Sequence, residues 1–203
     1  SVVVDRGLPQ GEPQMIHRNI GRMQLRGLTD TGGYFYEATI GTVDVYEAEL
    51  VDGVVRNPTT LPTSYSGSNL ASVWSPDGRR LAYASRRGLP FDRFSTTLVI
   101  RDRQTQEQRE LLPAMNSFLP RAWFPDGRHI LATGVDTRGK WGNFQIDVDS
   151  GRATPIVVSD RPSHDTDLGP GDWMPDGRVL YFNAAKHALL ARNVQTGAEE
   201  VAL

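Results

Sequence analysis

The segment Trp74-Ser75-Pro76-Asp77-Gly78 returns as Trp123-Phe124-Pro125-Asp126-Gly127 and again as Trp173-Met174-Pro175-Asp176-Gly177. The closing glycines of the three copies are 49 and 50 residues apart, and a fixed period of this length is typical of repeat architectures. In each copy the proline sets φ for a turn, the aspartate caps the turn and the glycine accepts a positive φ. The sequence therefore predicts a tandem array of units, each built around a tight hairpin.

Each unit continues with three more β-prone segments after the strand that ends on tryptophan. Second strands are predicted at residues 80–83, 129–132 and 178–182. Third strands are predicted at 97–102, 143–148 and 188–193, and fourth strands at 108–112, 153–158 and 199–203. Polar turns at 104–106, 149–151 and 195–197 separate the third strands from the fourth, so each unit is a four-stranded meander.

A degenerate copy without the tryptophan and the proline precedes these three, around Gly32 and Gly33. Its third strand is predicted at 43–48 and its fourth near Val54 and Val55, while 2–6 and 12–16 suit the last two strands of yet another unit. The chain is therefore predicted to contain the outer two strands of an incomplete blade at 1–19, blade 1 at 20–65, blade 2 at 66–114, blade 3 at 115–162 and blade 4 at 163–203.

The stretch Trp-Ser-Pro-Asp-Gly-Arg-Arg-Leu-Ala-Tyr, from Trp74 to Tyr83, resembles the TolB-type, WD-like β-propeller repeats of bacterial proteins. The resemblance covers nearly the whole chain and rests on Trp74, Pro76, Asp77, Gly78 and their counterparts. It implies an all-β fold, a propeller of four-stranded antiparallel blades, with about four and a half blades in this chain. Proteins with such repeats include periplasmic scaffolds, sensor regions of kinases and regulators, and the gating domain of prolyl oligopeptidase-like enzymes.

An array that starts halfway through a blade cannot close neatly, because a half blade does not match a full blade across the ring. Unpaired terminal strands are also prone to aggregate. We therefore expect either a fragment of a larger propeller or a chain that completes its ring with another copy of itself.

Composition excludes several classes of function. The 203 residues include no cysteine, which removes disulfides, thiolate metal sites and a cysteine nucleophile. Basic and acidic residues number 22 and 24, for a net charge of −2, so a nucleic-acid partner is not indicated. No apolar run reaches the about 18 residues that span a bilayer. We expect a soluble protein, and the resemblance implies the bacterial periplasm or cytoplasm.

Propellers bind ligands on the face formed by the loops between second and third strands and by the loops before the first strands. The ligand-binding candidates on this face and in the channel are Arg86, Arg87, Arg93, Arg121, Arg138, Lys140, Trp141 and Lys186. Trp141 lies in a Gly-Lys-Trp-Gly segment that favours a loop, so it is the predicted aromatic contact for a partner. Trp74, Trp123, Trp173, Tyr83 and Tyr181 are predicted to pack between blades instead. Solvated surface charge is the competing interpretation of the basic residues.

One polar cluster before the first strand of blade 4 has the ligand types for a metal. His164, Asp165 and Asp167, joined by His187 or His17, suit a divalent cation such as Ca or Zn. The alternative is that these aspartates cap local backbone and the histidines are solvated.

The chain has no Gly-x-Ser-x-Gly elbow and no phosphate-binding or dinucleotide fingerprint. Ser163, His164 and Asp165 are adjacent, so they cannot converge as a catalytic triad. Two functions remain: a binding or scaffold propeller that engages a protein or small ligand on its loop face, and a metal-assisted ester or phosphotriester hydrolase similar to lactonase propellers.

Overall fold

The computed structural model describes residues 3–5, 8–10, 22–28, 34–39, 43–61, 69–87, 95–162 and 168–202. Every regular element within these ranges is a β-strand, so the chain is all-β as the sequence predicted. The chain divides into two compact units, Ser1–Gly41 and Thr42–Leu203.

The first unit contains two antiparallel strand pairs. Strands β1 (Val3–Asp5) and β2 (Leu8–Gln10) form one pair, and β3 (Arg22–Leu28) and β4 (Tyr34–Thr39) form the other. The sequence placed the partner of the first strand at 12–16, which lies outside the described residues. The partner is β2 instead, because the register leaves only two residues between the paired strands, the commonest hairpin connection.

The second unit begins with a hairpin and continues with three four-stranded antiparallel sheets. The hairpin consists of β5 (Tyr46–Val51) and β6 (Val54–Thr60). Blade 2 consists of β7 (Asn69–Trp74), β8 (Arg80–Arg87), β9 (Ser95–Asp102) and β10 (Gln108–Leu111). Blade 3 consists of β11 (Met115–Trp123), β12 (His129–Asp136), β13 (Lys140–Asp147) and β14 (Ala153–Pro162). Blade 4 consists of β15 (Asp172–Trp173), β16 (Arg178–Asn183), β17 (Ala188–Asn193) and β18 (Glu199–Val201).

Strands in each blade follow one another in chain order, so every blade is a simple meander. All predicted second, third and fourth strands of blades 2 to 4 are present. Several begin or end beyond their predicted bounds, while β10, β13 and β18 end one or two residues early.

The Pro-Asp-Gly turns have the predicted chemistry. Gly78, Gly127 and Gly177 adopt φ values of 67°, 62° and 86°. In blade 2 the Gly78 amide donates to the Ser75 carbonyl at 2.8 Å, and the Asp77 carboxylate accepts from the Arg79 amide at 3.0 Å. These bonds close the hairpin between the first two strands, so the motif is explained by architecture.

The first strands of three of the repeats, β3, β7 and β11, carry a β-bulge. The register skips one residue between Leu25 and Gly27, two residues between Leu70 and Val73, and Arg121 between Pro120 and Ala122. A bulge re-aims side chains out of the regular alternation. Arg121 is therefore released from the ladder of β11 and is exposed.

The hydrophobic core of the second unit lies between successive blades. At the junction of blades 2 and 3, Leu98 from β9 packs in one cluster with Phe118 and Ile146 from blade 3, and all three are at most 1% exposed. The Trp123 indole reaches across this junction and donates from Nε1 to the Val73 carbonyl at 3.0 Å. At the junction of blades 3 and 4, the Trp173 ring lies 4.3 Å from the Phe124 ring, centroid to centroid.

The three repeat tryptophans are not equally buried. Trp123 is 5% exposed, whereas Trp74 is 43% exposed, so the expectation that Trp74 packs between blades was wrong for much of its indole. Val45 and Leu61 pack on Leu81, Tyr83 and Val99 of blade 2, and Trp74 is not part of that buried cluster. The Arg103 guanidinium lies 5.8 Å from the Trp74 ring. Tyr83 and Tyr181 are 1% and 2% exposed and match the expectation.

Candidate functional site

The turn between β12 and β13 presents a fixed cation on the predicted loop face. The Asp136 carboxylate accepts from the backbone amides of Arg138 and Lys140 at 2.9 and 2.8 Å. It also accepts from Nε and Nη2 of Arg138 at 3.1 and 3.0 Å. Burial alone would raise the pKa of Asp136, but the Lys140 amide and the Arg138 side chain outweigh it and lower that pKa. The Arg138 guanidinium is thus held in place while 74% exposed.

Lys140 and Trp141 make internal contacts at the start of β13. Lys140 donates from Nζ to the Asp160 carbonyl at 2.7 Å. Trp141 donates from Nε1 to the Leu168 carbonyl at 2.9 Å and packs beside Tyr181 of blade 4. The sequence placed Trp141 in a loop, and this placement was wrong, because β13 already begins at Lys140 and directs the indole to the next blade. Its role in ligand binding stays a prediction.

The turn between β16 and β17 carries Lys186 and His187. Lys186 donates from Nζ to Glu199 Oε2 at 3.1 Å and is 58% exposed, and His187 is exposed with φ at 50°. Glu199 also accepts from Arg192 at 2.8 Å and from the Tyr181 hydroxyl. Burial would raise the pKa of Glu199, but these donors outweigh it and lower that pKa. Lys186 therefore also serves to fix the outermost strand of blade 4.

The remaining basic candidates are scattered. Arg86 is half-buried in β8, Arg121 is exposed at the bulge of β11, and the side chain of Arg87 and all of Arg93 lie outside the described part of the chain. Arg138 and Lys140 are linked through the Asp136 carboxylate, which accepts from the backbone amides of both.

Most of the predicted metal ligands cannot be placed. Four of the five, His164, Asp165, Asp167 and His17, lie outside the described residues. Of the predicted ligands the structure describes His187 only. Among the described residues no group of three or more His, Asp or Glu side chains could hold a metal ion. The divalent-cation site stays a prediction.

Sequence reasoning missed a groove at the opposite end of the blades. The space, about 490 Å³, lies between blades 2 and 3 and is lined by Arg80, Ile100, Asp102, Glu107, Gln108, Arg109, Val148 and Asp149. Arg80 lies 4.9 Å from the Trp123 ring and donates to the Gly127 carbonyl at 2.6 Å, while Arg109 pairs with Asp149. The charges along the groove are largely matched, so we interpret it as a junction between blades. Its sequence signal was Arg80, the second residue after the Pro-Asp-Gly turn of blade 2.

Acid is expected to unfold the protein through its turn carboxylates. Hydrogen bonds lower the pKa of Asp77, first from the Ser75 hydroxyl, of Asp102, first from the Thr105 amide, and of Asp147, first from the Ser150 hydroxyl. A carboxyl whose folded pKa is depressed stabilises the fold above its unfolded pKa, and that stability is lost as the pH falls through the folded pKa.

The expected result is a denaturation midpoint that stays nearly constant from pH 7 to about 5 and falls steeply below about pH 4. Urea unfolding followed by tryptophan fluorescence over this pH range measures it. In Asp147→Asn the denaturation midpoint should fall less steeply below about pH 4, because the side chain at this turn no longer titrates. A midpoint that falls as steeply as in the wild type would contradict the role of Asp147 in acid unfolding.

Comparisons with known proteins support the fold of this chain and assign it no activity. No protein-family model matches the sequence, and no curated protein matches it. Among solved structures, a putative TolB from Agrobacterium tumefaciens is similar at a TM-score of 0.59 and 15% identity over 90% of this chain and 62% of that one. TolB from Acinetobacter baumannii is similar at 0.53 and 18% identity over 71% of this chain and 34% of that one.

A structure from a study of two prolyl endopeptidases is also similar, at a TM-score of 0.53 and 14% identity over 84% of this chain and 28% of that one. This chain thus spans less than two thirds of the length of each of these structures. It has a TolB-like β-propeller fold, and its blades are consistent with a partial propeller. The described part of the chain contains no helix that could cross a membrane.

Proposed function

We propose that this chain is a β-propeller binding module that engages a protein or a small ligand on its loop face, and that its ring is completed by further blades or by another copy. The observation that supports binding is the cationic turn between β12 and β13. Asp136 fixes Arg138 while most of the guanidinium faces solvent.

A pre-fixed guanidinium lowers the cost of binding, because its rotamer freedom is already lost in the free protein. Its pairing with Asp136 occupies Nε and Nη2, and Nη1 is left to donate to a ligand. Arginine pairs best with planar anionic groups. A carboxylate on the surface of a partner protein is therefore the ligand group that suits this turn.

Arg138→Glu is expected to abolish capture of the partner, because it places a second carboxylate beside Asp136 and repels the acidic group. A photo-crosslinking amino acid at position 137, exposed in the same turn, reports capture from an extract of the native host. The yield of the specific adduct should fall by about tenfold or more.

The matched control is Arg128→Glu, since Arg128 is 69% exposed at the other end of β12. This variant should keep the adduct. Equal loss in both variants, or chelator-sensitive hydrolysis of an ester or phosphotriester by the purified protein, would contradict a binding module of this kind.

A further inference from the structure

The chain contains four Asp-Gly pairs, and three of them belong to the repeat turns. Those three are Asp77-Gly78, Asp126-Gly127 and Asp176-Gly177, and the fourth is Asp52-Gly53, between β5 and β6. In such a pair the glycine amide nitrogen can attack the aspartate carboxyl carbon, and glycine has no side chain that hinders the attack. The sequence thus offers the same reactive pair at four places, and the fold decides which of them react.

In the repeat turns both reacting groups are already hydrogen-bonded. The glycine amides donate to the carbonyl three residues earlier, at 2.8 Å for Gly78 and at 3.0 Å for Gly127 and Gly177. The aspartate carboxylates accept from the backbone amide two residues later, at 3.0, 2.8 and 3.1 Å in chain order. Attack requires both bonds to break, because the nitrogen is engaged and the carboxylate is held on a different amide.

Hydrogen bonds also keep carboxyl groups of the repeat turns ionised. They lower the pKa of Asp77, first through the Ser75 hydroxyl, and the pKa of Asp176, first through the Arg178 side chain. Ring closure expels the carboxyl hydroxyl as water, so the neutral acid is the form that reacts. A lowered pKa leaves less of the neutral acid at any pH near neutrality. The repeat turns therefore oppose the reaction through both geometry and charge.

The turn at Asp52-Gly53 is built differently. Val51 pairs with Val54, so only these two residues connect the strands, and their φ values of 51° and 76° are both positive. Two positive φ values in a two-residue connection define a type I′ turn, whose bonds join the flanking residues. In the described part of the chain, neither the Asp52 carboxylate nor the Gly53 amide has a hydrogen-bond partner. Both reacting groups are free to meet.

We propose that Asp52 is a site of spontaneous isoaspartate formation and that the folded chain protects its other three Asp-Gly pairs. The Gly53 nitrogen bonds to Cγ of Asp52 and gives up its proton, and the carboxyl hydroxyl leaves with a proton as water. The product is a succinimide ring, which water then opens. Opening between the nitrogen and Cγ restores aspartate, and opening between the nitrogen and the main-chain carbonyl carbon leaves isoaspartate. One water is lost and one is taken up, so no oxidant or cofactor is needed.

Isoaspartate lengthens the backbone of the turn by one methylene group, because the chain now runs through Cγ. The register of a hairpin depends on the length of its loop. At the other end of this hairpin, the Leu61 amide donates to the Val45 carbonyl at 3.0 Å, and both residues pack on blade 2. The change therefore falls on the pairing of Val51 with Val54 and not on the attachment to blade 2.

Peptide mapping by electron-transfer mass spectrometry, which distinguishes isoaspartate from aspartate, tests the proposal on the full chain. The protein is aged at mildly acidic pH, once folded and once in urea, and the isoaspartate at each pair is divided by its value in urea. The folded chain should give at least about tenfold more at Asp52 than at each repeat pair, since reaction there requires two hydrogen bonds to open. As much isoaspartate at a repeat pair as at Asp52, or none at Asp52 in the folded chain, overturns the proposal.

Two glutamate variants confirm the source of the signal. Asp52→Glu keeps the carboxylate but would have to close a six-membered ring, so isomerisation at this turn should be lost. Asp77→Glu is the same change in a repeat turn and should leave the isoaspartate at Asp52 unchanged. Loss of the Asp52 signal in Asp77→Glu would also overturn the proposal, because the reaction would then depend on blade 2 and not on the turn itself. Neither result depends on ligand binding at Arg138, so this proposal and the proposed function can fail separately.

Discussion

Trp123→Ala is expected to lower the free energy of unfolding by about 3–5 kcal/mol, the usual cost of removing a large buried aromatic side chain. The indole is 5% exposed and fills the junction between blades 2 and 3. Its removal also leaves the Val73 carbonyl without the Nε1 donor and takes away the ring beside Arg80. Urea denaturation followed by circular dichroism measures the loss.

The repeat supplies matched controls for this prediction. Trp74→Ala removes the same residue from the same motif position, but the indole is 43% exposed, so the expected loss is only about 1 kcal/mol. Trp123→Phe keeps an aromatic ring without the donor and should fall between the two. Equal losses in Trp74→Ala and Trp123→Ala would show that the motif position, and not the packing at each junction, decides stability.

Much of the fold could be predicted because its signals are local. The Pro-Asp-Gly turn specifies a hairpin through the φ of proline and glycine and through the aspartate carboxylate, all within a few residues of one another. Three such turns at one period also fix where the next strands lie. The second, third and fourth strands of blades 2 to 4 were predicted on this basis.

Contacts between blades could not be predicted in the same way, because they join residues about 50 positions apart. Trp74 and Trp123 occupy the same position of the Trp-x-Pro-Asp-Gly motif, yet one is 43% exposed and the other 5%. The flanking glycines of Trp141 favoured a loop, but tertiary packing against Leu168 and Tyr181 placed it in a strand. Local propensity is a weak guide where packing on a neighbour decides the outcome.

For the candidate site, sequence located the loop between β12 and β13 and the cation at Arg138. It could not show that Asp136 holds that cation, since the basic residues of the loop face were predicted to contact solvent or a ligand. The carboxylate pairs with a residue two positions away, which is a property of the turn geometry and not of residue type.

A row of residues straight across blade 3 leads to the second large prediction. The register aligns Phe118 of β11, Gly134 of β12, Gly142 of β13 and Val158 of β14. A Cβ on Gly134 would collide with the Ser117 carbonyl and lie 2.6 Å from the Phe118 Cα. A Cβ on Gly142 would collide with the Val157 carbonyl and lie 2.8 Å from the Val158 Cα. The two glycines therefore leave room for the outer strands to approach.

Gly134→Ala is accordingly expected to cost about 3 kcal/mol or more, because the obstructing atoms are backbone and cannot rotate away. Gly142→Ala should cost a similar amount. Gly139→Ala is the control: its Cβ would meet open space, and only the φ of 81° opposes it, so about 1 kcal/mol is expected. Thermal and urea unfolding of the three variants measure the order. If Gly139→Ala proved as damaging as Gly134→Ala, backbone conformation and not close strand approach would explain the glycines. With the expected order, blade 3 owes its shape to two glycines that no turn or motif signal in the sequence distinguishes.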